Sequence, residues 1–88
     1  NGLVHFKALD DIINIYPNPT TGDLMLDLGK IHNELSLKIR DITGRIISSE
    51  TLKSVNKIEI DIKGTKGIYI IELLTPKGER AKLKVIKQ

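Results

Sequence analysis

Three isoleucines, at 58, 60 and 62, alternate with Glu59 and Asp61, and no other stretch limits the fold of this chain so tightly. In an extended strand this period of two puts the β-branched apolar side chains on one face and both carboxylates on the other. A helix would scatter the same residues around its axis and restrict their side-chain rotamers. The pattern recurs along the chain. Leu24, Leu26 and Leu28 alternate with Asp23, Met25 and Asp27, and Leu35, Leu37 and Ile39 alternate with Ser36, Lys38 and Arg40. Ala81, Leu83 and Val85 point one way on a last strand, with Lys82 and Lys84 pointing the other. Ile12-Ile13-Asn14-Ile15-Tyr16 is β-rich and stops at Pro17, which has no N–H for a ladder. Residues 45–52 read as a return strand with an ambiguous buried face around Ile46-Ile47. Residues 68–71 are apolar throughout, as in a central strand.

Turn signals separate these segments. Asp41-Ile42-Thr43-Gly44 reads as a tight hairpin with Gly44 at positive φ, residues 63–67 as a loop, and Thr75-Pro76-Lys77-Gly78 as a turn. About seven short antiparallel strands at regular spacing predict an all-β, immunoglobulin-like sandwich. The 88 residues hold one domain, over residues 12–88, preceded by a linker or tail at residues 1–11 that shows no periodicity. The first residue is Asn1 rather than Met, and the chain reads as a piece of a longer protein.

Charge is distributed unevenly. The chain carries a formal +3 with no cysteine. Residues 77–88 contribute Lys77, Arg80, Lys82, Lys84 and Lys87 against Glu79 alone, so the basic character belongs to the last strand. No apolar run approaches the roughly 20 residues of a membrane helix, and direct membrane insertion is not expected.

Groups for catalysis are not assembled in any familiar spacing. His5 and His32 stand far apart with no third ligand near them in sequence, which predicts no metal site. Asp10-Asp11 falls in the tail, and Asp23 and Asp27 lie on a strand's polar face, a poor setting for paired acid–base work. Thr20, Thr21, Ser48 and Ser49 have no histidine base in a recognisable arrangement. The expectation is a protein that is not an enzyme and needs no cofactor.

The segment Tyr16-Pro17-Asn18-Pro19-Thr20-Thr21-Gly22 is the most distinctive local motif. A residue before proline is pushed out of the α region, so Tyr16 and Asn18 are expected to be extended and the exit from the first strand stiff and straight. Pro19 suits the second position of a β-turn that Gly22 can close. Pro19 also occupies the middle place of Asn18-Pro19-Thr20, which rules that triplet out as a glycosylation acceptor.

Four features in this order resemble the type A C-terminal sorting domain of cargo secreted by the bacterial type IX system: the Pro17-Asn18-Pro19 segment with Gly22, the Asp41 to Gly44 hairpin, Gly67-Ile68-Tyr69, and the lysine-rich strand ending at Gln88. The resemblance covers residues 12–88. It implies a domain carried at the C-terminus of secreted proteins of Bacteroidota. The cargo reaches the periplasm by its own signal peptide, and an outer-membrane translocon recognises the domain. A sortase-like cysteine peptidase then removes it upstream of the fold, leaving the cargo at the cell surface or outside. The partners implied are the translocon, the peptidase and a cargo domain in the same chain.

Within this reading Lys82, Lys84, Val85, Ile86 and Lys87 are the candidate handle, read by charge complementarity or by added β-pairing. Their plainer role is to guard an edge strand against stray pairing. Pro17, Asn18, Pro19, Gly22, Asp41, Gly44, Gly67 and Tyr69 are expected to serve the fold, with Tyr69 as a core aromatic and Tyr16 over the proline turn. Deleting residues 84–88 is expected to abolish export from a domain that still folds. The other readings are a passive immunoglobulin-like adhesion or spacer module, a glycan binder and a polyanion binder. The last two are weakened by the scarcity of aromatics, which rules against a nucleic-acid partner.

Overall fold

The computed structural model describes residues 13–88. The expected tail at 1–11 and the start of the first strand at Ile12, with His5 and Asp10-Asp11, lie outside the described residues. The described residues form β1 (Asn14–Tyr16), β2 (Asp23–Asp41), β3 (Ile46–Asp61), β4 (Gly67–Leu74) and β5 (Arg80–Lys87), with no helix among them. Every strand pairing is antiparallel, β1 with β2, β2 with β3 and β4, and β4 with β5.

The all-β, antiparallel expectation holds, but in place of an immunoglobulin-like sandwich of seven strands the described residues form one curled sheet of five. The segments at 24–28 and 35–40 are parts of the single 19-residue β2, and those at 45–52 and 58–62 merge, except for Arg45 and Ile62 at their ends, into the 16-residue β3. Sequence alternation breaks between them because the ladder bends rather than ends. The register slips between Asp27 and His32, where Gly29 takes a φ of 79° and Ser54 on the facing strand takes 53°. Such a bulge turns a sheet while its strands continue. The Asp27 carboxylate caps the bend by accepting the Gly29 N–H at 2.9 Å.

This bend curls the sheet around its own core. The first half of β2 runs beside β1 and the end of β3, and its second half runs beside β4 and the start of β3. Both halves turn the same apolar face inward. Leu24, Leu26, Leu28, Leu35, Leu37 and Ile39 from β2 join Ile58, Ile60 and Ile62 in one buried cluster. Tyr69, Ile71 and Leu73 of β4 and Ala81 and Val85 of β5 complete it. Of the four inward-facing triplets read from the sequence, the three on β2 and β3 and the residue after β3 are buried throughout, and in Ala81, Leu83 and Val85 only Leu83 is partly exposed.

Two local expectations need adjusting. β4 is central between β2 and β5, but only its alternate residues are buried, while Ile68 and Ile70 are half-buried on the outer face. The ambiguity at Ile46-Ile47 reflects a second register slip: Ile39 faces Ser48 but Arg40 faces Ile46, so Ile47 is the extra residue.

Candidate functional site

β5 is the last strand of the sheet, and its outer edge is the starting point for the site. An edge strand offers a row of unpaired N–H and C=O groups. Here half of that row is taken by the proline segment. Asn18 Nδ2 donates to the Lys84 carbonyl at 3.0 Å, and its Oδ1 accepts the Ile86 N–H at 3.0 Å. The Thr20 N–H donates to the Ile86 carbonyl at 2.8 Å, and the Thr20 carbonyl accepts the Gln88 N–H at 2.8 Å. Thr20 and Lys87 form a short parallel bridge. Backbone groups two residues apart point to the same edge. The N–H and C=O of Lys82 therefore face outward as well, and no hydrogen bond among the described residues covers them.

The expectation of a straight exit from β1 is corrected at this point. Residues 17–19 bend away from β1 to reach β5, and the chain bends again before β2 begins at Asp23. The Tyr16-Pro17 and Asn18-Pro19 bonds are both cis. The turn is held by Thr20, which is 1% exposed. Its Oγ1 donates to the Asp23 carbonyl at 2.6 Å and accepts the Gly22 N–H at 3.0 Å. Gly22 closes the turn at a φ of 136°, and its carbonyl accepts the Ile62 N–H at 2.8 Å. A Cβ there would meet the Ile62 carbonyl oxygen at 3.3 Å. Tyr16 is 47% exposed at the start of this segment, beside Pro17.

Other motif residues meet the same end of the sheet. Asp41 stands opposite Tyr69, Tyr69 opposite Val85, and Gly67 opposite Lys87. Tyr69 is buried, and its hydroxyl donates to the Thr65 carbonyl at 2.7 Å, tying the loop before β4 to the core. That loop also accepts the Lys87 ammonium, which donates to the carbonyls of Ile62 and Gly64 at 2.8 Å each. Gly67 enters β4 at a φ of 147°, a value open to glycine. In the hairpin, Gly44 has a φ of 91° and donates its N–H to the Asp41 carbonyl at 2.9 Å. The Asp41 carboxylate accepts the Thr43 hydroxyl and the N–H groups of Thr43 and Arg45. These bonds, led by the hydroxyl and helped by the Arg45 charge, hold Asp41 below its ordinary pKa against a partial opposing effect of burial.

The five candidate contact residues therefore have different environments. Val85 has no exposed surface and belongs to the core, so its side chain offers nothing to a partner. Lys87 is half-buried and spends its ammonium on the 62–64 carbonyls. Lys82 faces outward with its ammonium 3.6 Å from Glu72. Lys84 is exposed, and its ammonium makes no bond among the described residues. Ile86 is 41% exposed. Glu72 also accepts Arg40 Nε at 2.8 Å, and that bond chiefly holds its carboxyl below the usual range, opposed by burial and aided by Lys82.

Sequence reading missed Thr20 and the pairing role of Asn18. A threonine two residues before glycine is a signal for a hydroxyl-closed turn. The reach of Asn18 to a strand some 66 residues away has no local signal. It also missed Arg40, which looked like any outward residue on an alternating strand.

A comparison with curated proteins finds no match to the chain. The profile of the secretion system C-terminal sorting domain matches residues 14–88, a span that holds all five strands and every motif assembled at this end of the sheet. The chain belongs to the family of C-terminal sorting domains of the type IX secretion system.

Proposed function

We propose that this domain is an address that works by being recognised, with no chemistry of its own. It directs a cargo joined to its N-terminal side through the outer membrane by way of the type IX translocon. In this reading the cargo waits in the periplasm, the β5 end of the domain is the surface that is read, and a sortase-like cysteine peptidase removes the domain at the cell surface. Membership of the sorting-domain family supports the signal itself and export to the surface or beyond.

One observation carries the choice of β5. The motif segments, far apart in sequence, gather around the end of this strand, where Asn18 and Thr20 bond its edge and Lys87 bonds the loop before β4. A folded partner can therefore read a composite of the proline segment and β5. Lys84 and Ile86 present exposed side chains there, and the Lys82 backbone presents open ladder groups. The first offers charge and apolar contact, and the second offers β-addition.

The test is export of a folded reporter joined ahead of the full chain, with an N-terminal export signal, in a type IX-competent host. Reporter at the surface or in the medium, lost in a translocon-deficient strain, is the expected result. Folded reporter held in the periplasm of both strains would identify a passive spacer module instead. Recovery of exported reporter without the domain would support removal by the peptidase.

A further inference from the structure

The outer face of β2, β4 and β5 carries a charge pattern of which the proposed function uses only the Lys84 side chain. Rows of facing residues cross the three strands: Lys38 opposite Glu72 opposite Lys82, and Arg40 opposite Ile70 opposite Lys84. A third row runs from Ser36 through Leu74 to Arg80. Their strand neighbours Leu37, Ile39, Ile71, Leu73, Ala81 and Val85 are buried, so the rows stand on the opposite, outward face. In these three rows five cations thus surround one carboxylate, and Glu34 lies beyond them on β2.

We propose that this face docks an acidic, partly apolar protein surface. It rests on the sorting reading, because the partner is sought in the export machinery, and it extends the recognition surface from β5 across to Lys38 and Arg40. Two features favour a protein over a polyanion. Glu72 lies in the middle of the patch and draws Arg40 and Lys82 toward itself, at 2.8 and 3.6 Å, where it would repel a row of phosphates. Apolar side chains also interleave with the cations. Leu74 is 40% exposed and Ile86 41%, with Ile68 and Ile70 half-buried between them. Apolar side chains interleaved with charges of both signs fit a protein interface, whereas polyanion affinity comes from many unopposed cations. Lys38 and Lys84 are exposed on either side of β4, which places them to meet carboxylates of the partner and steer its approach.

The export assay tests this with two variants of equal net charge. In K38E/K84E the Arg40 and Lys82 partners of Glu72 are retained, and in K66E/K77E the same charge change falls on the loops at either end of β4. Both are checked for folding by circular dichroism and unfolding midpoint. If K38E/K84E does not fold, K38Q/K84Q replaces it, with K66Q/K77Q as its control. Export reduced at least about tenfold in the first variant, well below that of K84E alone, and near wild type in the second is the expected result. Equal export by the two folded variants, or by K38E/K84E and K84E alone, would overturn the inference while leaving the sorting reading intact. Failure of the wild-type fusion to leave the periplasm would overturn the sorting reading and this inference with it. Purified wild-type chain is also applied to heparin. Retention beyond physiological salt that disappears in K38E/K84E would assign the face to a polyanion and overturn the proposal.

Discussion

Asn18 does with a side-chain amide what a neighbouring strand does with its backbone, giving one hydrogen bond to β5 and taking another. Because the site is exposed, water can replace both bonds in part, and N18A should lose about 1 kcal/mol of stability. Denaturant unfolding with an unchanged m-value checks this. Tyr69 and Gly64 form a tighter pair: a Cβ on Gly64 would lie 2.9 Å from the Tyr69 hydroxyl oxygen, and the Gly64 φ is 126°. Y69F should lose about 1 kcal/mol with the bond to Thr65. G64A should be more damaging, and less so in the Y69F background, because removal of the hydroxyl relieves the clash but not the backbone strain. A double-mutant cycle on unfolding free energies would show that coupling. Additive losses would mean that the close approach is relaxed by movement elsewhere.

At the scale of the element, β5 is needed for folding as well as for the proposed recognition. The sequence suggested that residues 84–88 could be deleted from a domain that still folds. The structure argues against that outcome: the deletion would remove the fully buried Val85, the β5 groups bonded by Asn18 and Thr20, and the Lys87 anchor. The expected result is loss of the cooperative unfolding transition, measured by circular dichroism. Single side-chain changes separate the two roles. K84E should alter stability by no more than about 0.5 kcal/mol, since its ammonium is exposed. L26A, in the half of β2 away from β4, should lose about 2–5 kcal/mol from a fully buried site.

For the molecule as a whole, Asp41 and Glu72 are two carboxyls that contribute to the response to acid. Both carboxyls have pKa values lowered by folding, Glu72 from 4.5 and Asp41 from 3.8. Each therefore contributes stability that is fully present above its unfolded value and is lost as pH falls through the native one. The unfolding midpoint should fall as pH drops below about 4.5, and E72Q should be less stable at neutral pH with a flatter acid limb. A slope unchanged in both E72Q and D41N would place the acid sensitivity elsewhere. The inward faces of β2 and β3 were legible in the sequence because side-chain direction in a strand follows a local period of two, and the turn at Asp41–Gly44 was legible because its chemistry spans four residues. Family membership was legible too, because the motifs keep their order. The number of strands was not, since a bulge that bends β2 and β3 without ending them interrupts alternation as a loop would. Nor was the site: which edge Asn18 covers, which lysine is anchored, and which cations share a face with Arg40 depend on residues brought together only when the sheet curls. Alternation within a segment is set by neighbours in the chain, whereas the pairing of β5 with the proline segment is set by closure of the whole fold.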